Sequence, residues 1–416
     1  MTTGFMPLEG KSWPYRLMLG ILALLAVGGL VSFIVSYIQG HQTFGANNNV
    51  PWGMPIVLAI FLIGLSAGSL ILSSLTYVFG REEYRSISRV AIFLAIVLIF
   101  GALLSIAIDL GRPEKAWRLF MFFYQNNMTS MFAINGILYG GYFIITLVYL
   151  GIVMAGQAKA AKITGSIAAV WAVLVHMGTG AIFGFIAARE AWSSPIKPFE
   201  FLAAALTSGL ALLIVAVVLT LLFTRRPVKR DVVASLGRLL GIFIVVLAVL
   251  ILADKLTHLY SPDRGATLFT LTGPYSWIFW ALQIGLVVVI PLLILFNKRL
   301  NASVGWIFLA SVLVVIGVFF ERYYLVIPAA AYPMAYYPGH IEGVWGAIPP
   351  LRLTSVEIML SIGIIALLGF LFMLGLKYLE LLPAKGKKET PEKSDDKATA
   401  ESGPEITGET AAAAGD

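Results

Sequence analysis

The chain has 416 residues, of which 59% are hydrophobic and only 12% charged. A soluble domain carries about 25% charged residues, so this composition excludes a water-wetted globule. Its +7 formal charge is no sign of nucleic-acid binding, because the Lys and Arg residues sit in short segments between apolar runs, where membrane topology puts them. The absence of cysteine excludes disulfides, thiolate-held iron–sulfur clusters and c-type haem attachment within this chain.

Apolar runs long enough to cross a ~30 Å hydrocarbon layer recur along the chain. They predict ten helical spans at 16–38, 53–79, 87–109, 129–154, 163–189, 199–223, 234–256, 276–297, 302–325 and 354–379. The expected fold is an all-α integral membrane protein with a short N-terminal segment, 1–15, before the first span. That span is too long for a signal-peptide core, and no small-residue cleavage site follows it. From about 380 onward the composition turns to Lys, Glu, Asp, Thr and Ala, which predicts a disordered tail.

Most Lys and Arg fall on the side of the N-terminus, the even-numbered loops and the tail, with Arg81, Arg85, Arg89, Arg225, Arg226 and Arg230 among them. That asymmetry predicts cytoplasmic termini. The opposite, extracytoplasmic connections are longer and rich in Pro, Trp, Tyr and Asn. Their aromatic residues suit an interfacial belt or a docking surface for a partner.

Two strings are alike: "LSAGSLIL" at 65–72 in the second span and "LTSGLALL" at 206–213 in the sixth. The third and seventh spans end near Asp109 and Asp254, and the fifth and ninth near Glu190 and Glu321. Two parallel repeat units are expected, about 53–189 and 199–325, each of four helices, with the first and tenth spans flanking them.

Ionisable residues inside a membrane are costly and mark function by default. His176 is the histidine deep within a span. On a continuous helix, His176, Thr179, Phe183 and Glu190 would share a narrow arc, with Glu190 about 20 Å further out. Such a stripe suits protons or a quinone; the alternative is a histidine bonded to a neighbouring helix for packing. Asp109 and Arg112 lie in "SIAIDLGRPEKAWRLF", where Gly-Arg-Pro should end the helix. The pair suits a headgroup clamp or a helix-end clamp. Asp254 and His258 are i, i+4 neighbours able to share a proton, and Lys255 stands between them. Glu321 and Arg322 form a similar charged end to the ninth span, and the collection of Asp109, Glu190, Asp254, His258 and Glu321 at the outer boundary points to a polar cavity opening outward. Paired deep histidines for a dihaem cytochrome are absent, as are a Walker loop and a Rossmann fingerprint in a strand–helix context. Electrons would pass through a diffusible carrier or through partners.

The strings "NNVPWGMPIVLAIFLIGLSAGSLIL", "IDLGRPEKAWRLF", "NNMTSMFAINGILYG" and "ERYYLVIP" together resemble the membrane subunits of the NrfD/polysulfide-reductase family, over about 50–325. "HMGTGAIFGFIAAREAWSSPIKPFEFLAAALTSGLA" is most similar to the DsrP-type members, found in the DsrMKJOP complex of dissimilatory sulfur metabolism. The resemblance implies a subunit without haem or iron–sulfur cluster of its own. Such a subunit binds menaquinone or another quinone near the extracytoplasmic side and exchanges electrons with a ferredoxin-like iron–sulfur subunit there. It also implies two four-helix bundles, a multihaem cytochrome and further redox subunits as partners, and a bacterial or archaeal cytoplasmic membrane. Asp109 and Arg112 match the family motif and take a quinone-pocket or proton-handling role. Asn127, Ser130 and Asn135, at the polar start of the fourth span, are expected beside them. His176, Glu190, Asp254 and His258 complete the candidates, with proton handling assigned to Asp109, His176 and Glu190. Some relatives place a histidine on an early span; here that span offers Ser32 and Ser36. A secondary transporter or proton-conducting module is the alternative from another class, and a purely anchoring subunit the third.

Overall fold

A computed structural model describes residues 5–47, 50–78, 80–122, 129–224, 230–262, 264–332 and 351–383. Asn127, most of the long aromatic loop and the whole Lys385–Asp416 stretch lie outside the described residues. Ten described helices are long and apolar enough to span a bilayer, and the chain is an all-α, multi-pass integral membrane protein. We number them α1 (Trp13–Gln39), α2 (Met54–Tyr77), α3 (Arg85–Asp109), α4 (Met131–Met154) and α5 (Ala158–Gly184). There follow α6 (Lys197–Phe223), α7 (Arg230–Leu259), α8 (Ile278–Leu295), α9 (Val304–Val326) and α10 (Ser355–Tyr378).

Helices α2, α3, α4 and α5 pack in a closed ring, α2 touching both α3 and α5. Helices α6, α7, α8 and α9 form a second ring in the same order. The rings join through α2 against α6, with α5 on α6 and α2 on α9 to either side. α1 pairs with α10, which packs on α3.

Small residues decide the joint. A Cβ on Gly68 of α2 would collide with Ala205 O and stand 2.7 Å from Gly209 Cα on α6. Backbone contact of this kind is how transmembrane helices gain packing without a hydrophobic driving force. Gly68 and Gly209 hold the same place in the two similar strings, so equivalent positions meet at the crossing. The neighbouring hydroxyls are satisfied locally: Ser69 Oγ donates to Leu65 O at 2.9 Å and Ser66 Oγ to Ala95 O at 2.7 Å. Gly68→Ala is expected to cost about 1–3 kcal/mol by overpacking, read as a lower midpoint of thermal unfolding in detergent. An unchanged midpoint would mean that the crossing is loose.

The fifth helix corrects one sequence expectation. It ends at Gly184 rather than near 189, so Glu190 does not continue the His176 face. Ser194 N–H bonds Gly184 O at 3.0 Å and turns the chain back. Trp192 is buried, and its indole N–H donates to Leu325 O on α9 at 2.7 Å. That tertiary anchor outweighs the helical tendency of "FIAARE". In α8 the first twelve residues, Ile278–Val289, wind in wider turns, and Ile290 N–H reaches five residues back to Gly285 O. Pro291 follows; its ring clashes with the carbonyl four residues earlier in a regular α turn.

Away from the site, Phe5–Met6 pairs antiparallel with Leu382–Pro383. Arg89 stacks over the Phe5 ring at 4.0 Å and donates to Glu380 O at 2.9 Å.

Candidate functional site

The ends of α1, α3, α5, α7 and α9 and the starts of the helices that follow them gather at one end of the bundles, here called the Asp109 end. α3 stops at Asp109 because Gly111 takes φ +68°, the left-handed conformation that suits glycine. Pro113 opens the next short turn. Gly111 also makes room for another segment: a Cβ there would lie 3.0 Å from His41 Nε2. His41 sits just past α1, edge-on to Phe44. His41 thus lies two residues beyond the end of α1, against the Asp-Leu-Gly-Arg-Pro motif.

Asp109 is half-buried, and among the described residues its carboxylate has no hydrogen-bond partner. It lies within electrostatic reach of Glu357, a buried acid on α10. Glu357 caps two helices at once. Its carboxylate accepts Thr354 N–H at 3.2 Å in a capping box on α10, and Met54 N–H of α2 at 3.0 Å. Trp52, Gly53, Phe44 and Arg352 join Glu357 around a cleft of about 10 Å³, room for about one water. Arg112 is exposed and forms no ion pair with Asp109 among the described residues.

Ser130 caps α4, accepting Ala133 N–H at 3.5 Å. Asn135 is buried one turn further in. Its amide nitrogen donates to Met131 O at 2.8 Å and Gly178 O at 2.9 Å. Those two acceptors fix the amide orientation, and the buried Oδ1 has no partner among the described residues. A buried orphan acceptor is costly and fits a ligand that brings an O–H donor. Beside it, Tyr139 and Thr179 share a hydrogen bond of 2.9 Å.

His176, buried in α5, bridges to α2. Nδ1 lies 2.7 Å from Ala172 O and Nε2 3.0 Å from Ile63 O. A neutral ring donates to one of these carbonyls and an imidazolium to both, so a proton can be taken up without changing partners. Glu190 is half-buried in the turn after α5.

Asp254 and His258 belong to a separate cluster in the second bundle. Asp254 accepts from Ser194 Oγ at 2.6 Å, Lys197 Nζ at 3.0 Å and Lys255 Nζ at 3.2 Å. The His258 nitrogens go to the carbonyls of Asp254 and Ser193, each at 2.7 Å, with the carboxylate 3.7 Å away. The ring thus ties the 190s turn to α7 through backbone oxygens, and the i, i+4 spacing does not produce a carboxylate–imidazole hydrogen bond. Sequence reading missed Lys197, Glu200, Glu357, Trp52 and His41. A Lys and Glu three apart at the start of a long apolar run were the available signal, masked by Pro195 and Pro198.

Between the two clusters runs a set of rings. Trp52 stacks on Trp192 with centroids 5.2 Å apart and planes at 11°. Phe183 meets both, and Phe201 stacks on Phe183 at 5.7 Å. Among the described residues, no group of three His, Asp or Glu is placed to hold a metal.

The family model described as polysulphide reductase, NrfD, matches residues 42–333, which begins after α1 and ends before α10. The Hdr-like menaquinol oxidoreductase integral membrane subunit of Archaeoglobus fulgidus is 33% identical over 399 residues, covering 94% of this chain and 100% of the relative. The selenate reductase C subunit of Mesobacillus selenatarsenatis is 30% identical, covering 93% and 98%. The menaquinone reductase integral membrane subunit of Nitratidesulfovibrio vulgaris is 22% identical, covering 84% and 87%.

Proposed function

The chain belongs to the polysulphide reductase NrfD family, and we propose that it is the quinone-binding membrane subunit of a respiratory redox complex. In this reading it exchanges electrons between menaquinone and an iron–sulfur subunit docked at the Asp109 end, which faces away from the cytoplasm. The observation that carries the reading is the half-buried Asp109 carboxylate, without a hydrogen-bond partner among the described residues, at the mouth of a bundle that also holds the orphan acceptor Asn135 Oδ1.

A bound quinol supplies two electrons and two protons. Asp109 takes one proton at its carboxylate, and Glu357 nearby holds α2 and α10 in place around it. Asn135 Oδ1 accepts a hydroxyl hydrogen bond, which favours the reduced carrier over a quinone that offers only acceptors. Trp52 gives a flat apolar wall that limits water. His176, with a second carbonyl already in place, receives a proton deeper in the bundle.

The finer assignment is a DsrP-type subunit in the cytoplasmic membrane of a sulfur-metabolising cell. It is supported by the string around His176 and would have a multihaem cytochrome among its partners. Titration of the purified complex with a fluorescent quinone analogue should show saturable quenching at one site, with quinone co-purifying. Neither quenching nor extractable quinone in an intact complex would end the proposal.

A further inference from the structure

The second bundle holds six charged side chains that the quinol reaction does not use: Lys197 and Glu200 on α6, Asp254 on α7, and Glu321 and Arg322 on α9 are buried, and Lys255 on α7 is half-buried. Lys197 Nζ lies 2.7 Å from Glu200 and 3.0 Å from Asp254; Arg322 Nη1 lies 3.2 Å from Glu321. Three acids and three bases balance, as burial demands. Their hydrogen bonds do not. Glu321 is 5% exposed, and among the described residues its buried Oε2 has no hydrogen-bond partner, nor has Nε of Arg322, whose guanidinium stacks over Phe201 at 3.9 Å.

Glu321 lines a cavity with Lys197, Glu200, Lys255, Thr270 and Gln283, and its water-sized space is about 30 Å³. That is room for about two waters. A polar wall with an orphan acceptor calls for such water, because an unpaired buried oxygen is costly.

We infer that this cavity is a hydrated proton store, with Glu321 as the group that titrates. An O–H bond forms at Glu321 Oε2 as one breaks on a hydronium in the cavity, and the reverse step returns the proton to water. Facing Glu321 are Arg322 on its own helix, Lys197 and Glu200 from α6, and Lys255 with Asp254 from α7. Gln283 from α8 and Thr270 from the short helix Arg264–Thr272 add dipoles without titrating. Arg322 also lies within electrostatic reach of His176 in the first bundle. Loading Glu321 removes the negative charge beside Arg322, so His176 senses the state of the store. The inference stands independently of the quinone reading, since it needs no carrier in the site.

The test is infrared difference spectroscopy of the full chain in lipid, between acid and alkaline pH, in H2O and D2O. A carboxylic acid C=O band that shifts in D2O should be present, and it should be lost in Glu321→Gln. Gln283→Leu, which keeps Glu321 and replaces a polar wall of the cavity by an apolar one that holds water less well, should slow the D2O shift. Wild-type spectra in a folded E321Q variant would overturn the proposal. Should E321Q fail to fold, unchanged exchange in Q283L would overturn it equally. Binding of the quinone analogue, measured on the same samples, should stay intact in E321Q; its loss from wild type would count against the quinone reading alone.

Discussion

Asp109→Asn is expected to slow quinol oxidation by the assembled complex by about 10²–10⁴-fold, the usual worth of a positioned proton acceptor. Asparagine keeps the size and hydrogen-bonding reach of the side chain but cannot take a proton. Among the described residues the carboxylate holds no part of the fold, and backbone groups finish α3: Leu110 N–H bonds Ile106 O at 3.1 Å and Gly111 N–H bonds Ile108 O at 3.3 Å. Steady-state turnover with an artificial electron acceptor is the measurement, with quinone-analogue binding as control. A rate within about twofold of wild type would remove Asp109 from proton transfer. Loss of rate together with loss of binding would instead assign it to holding the headgroup.

Lys197→Met is expected to lower stability by about 3–5 kcal/mol, the cost of taking one partner from a buried ion pair. Lys197 stands between Glu200 and Asp254, and its side chain is 6% exposed. Without it, two carboxylates share Lys255 as their nearby base. Methionine fills the same space, so the effect is electrostatic rather than a cavity. Unfolding of the chain in mixed detergent micelles reads it out. The double variant K197M/E200Q should recover part of the loss, because the orphaned acid is then neutral. A midpoint within about 0.5 kcal/mol of wild type, the level of an ordinary surface change, would show that water already shields the cluster.

Ten spans were legible in the sequence because each is a long apolar run ended by Gly, Pro or charge. The end of α3 was legible in detail, since Asp-Leu-Gly-Arg-Pro carries its own stop signals. The end of α5 was not. It depends on Trp192 reaching Leu325, a contact between residues far apart in the chain that leaves no local mark. The double cap by Glu357 is hidden for the same reason: Met54 precedes it by 303 positions. In the candidate site, distance from the span ends placed Asp109 at the close of a helix and Asn135 and His176 within helices, where the structure has them. Which of them keep free valences is a matter of partners. Asp254 was expected to share a proton with His258 and is met instead by three other donors; Asn135 looked like a helix-start amide and keeps an oxygen without a partner among the described residues.

The pairing of α1 with α10 has a consequence in time. Of the ten described spans α1 is made first, and its main partner is made last. At about 5–20 residues per second of synthesis, α1 waits on the order of tens of seconds for the helix against which Gly29 will pack on Gly363. Its surface suits the wait: Leu24, Val27, Leu30, Val31 and Ile38 are all outward in the finished bundle, so lipid serves as well before docking as after. Docking α10 then draws Leu382–Pro383 onto Phe5–Met6, and a segment made before α1 is latched by one made after α10.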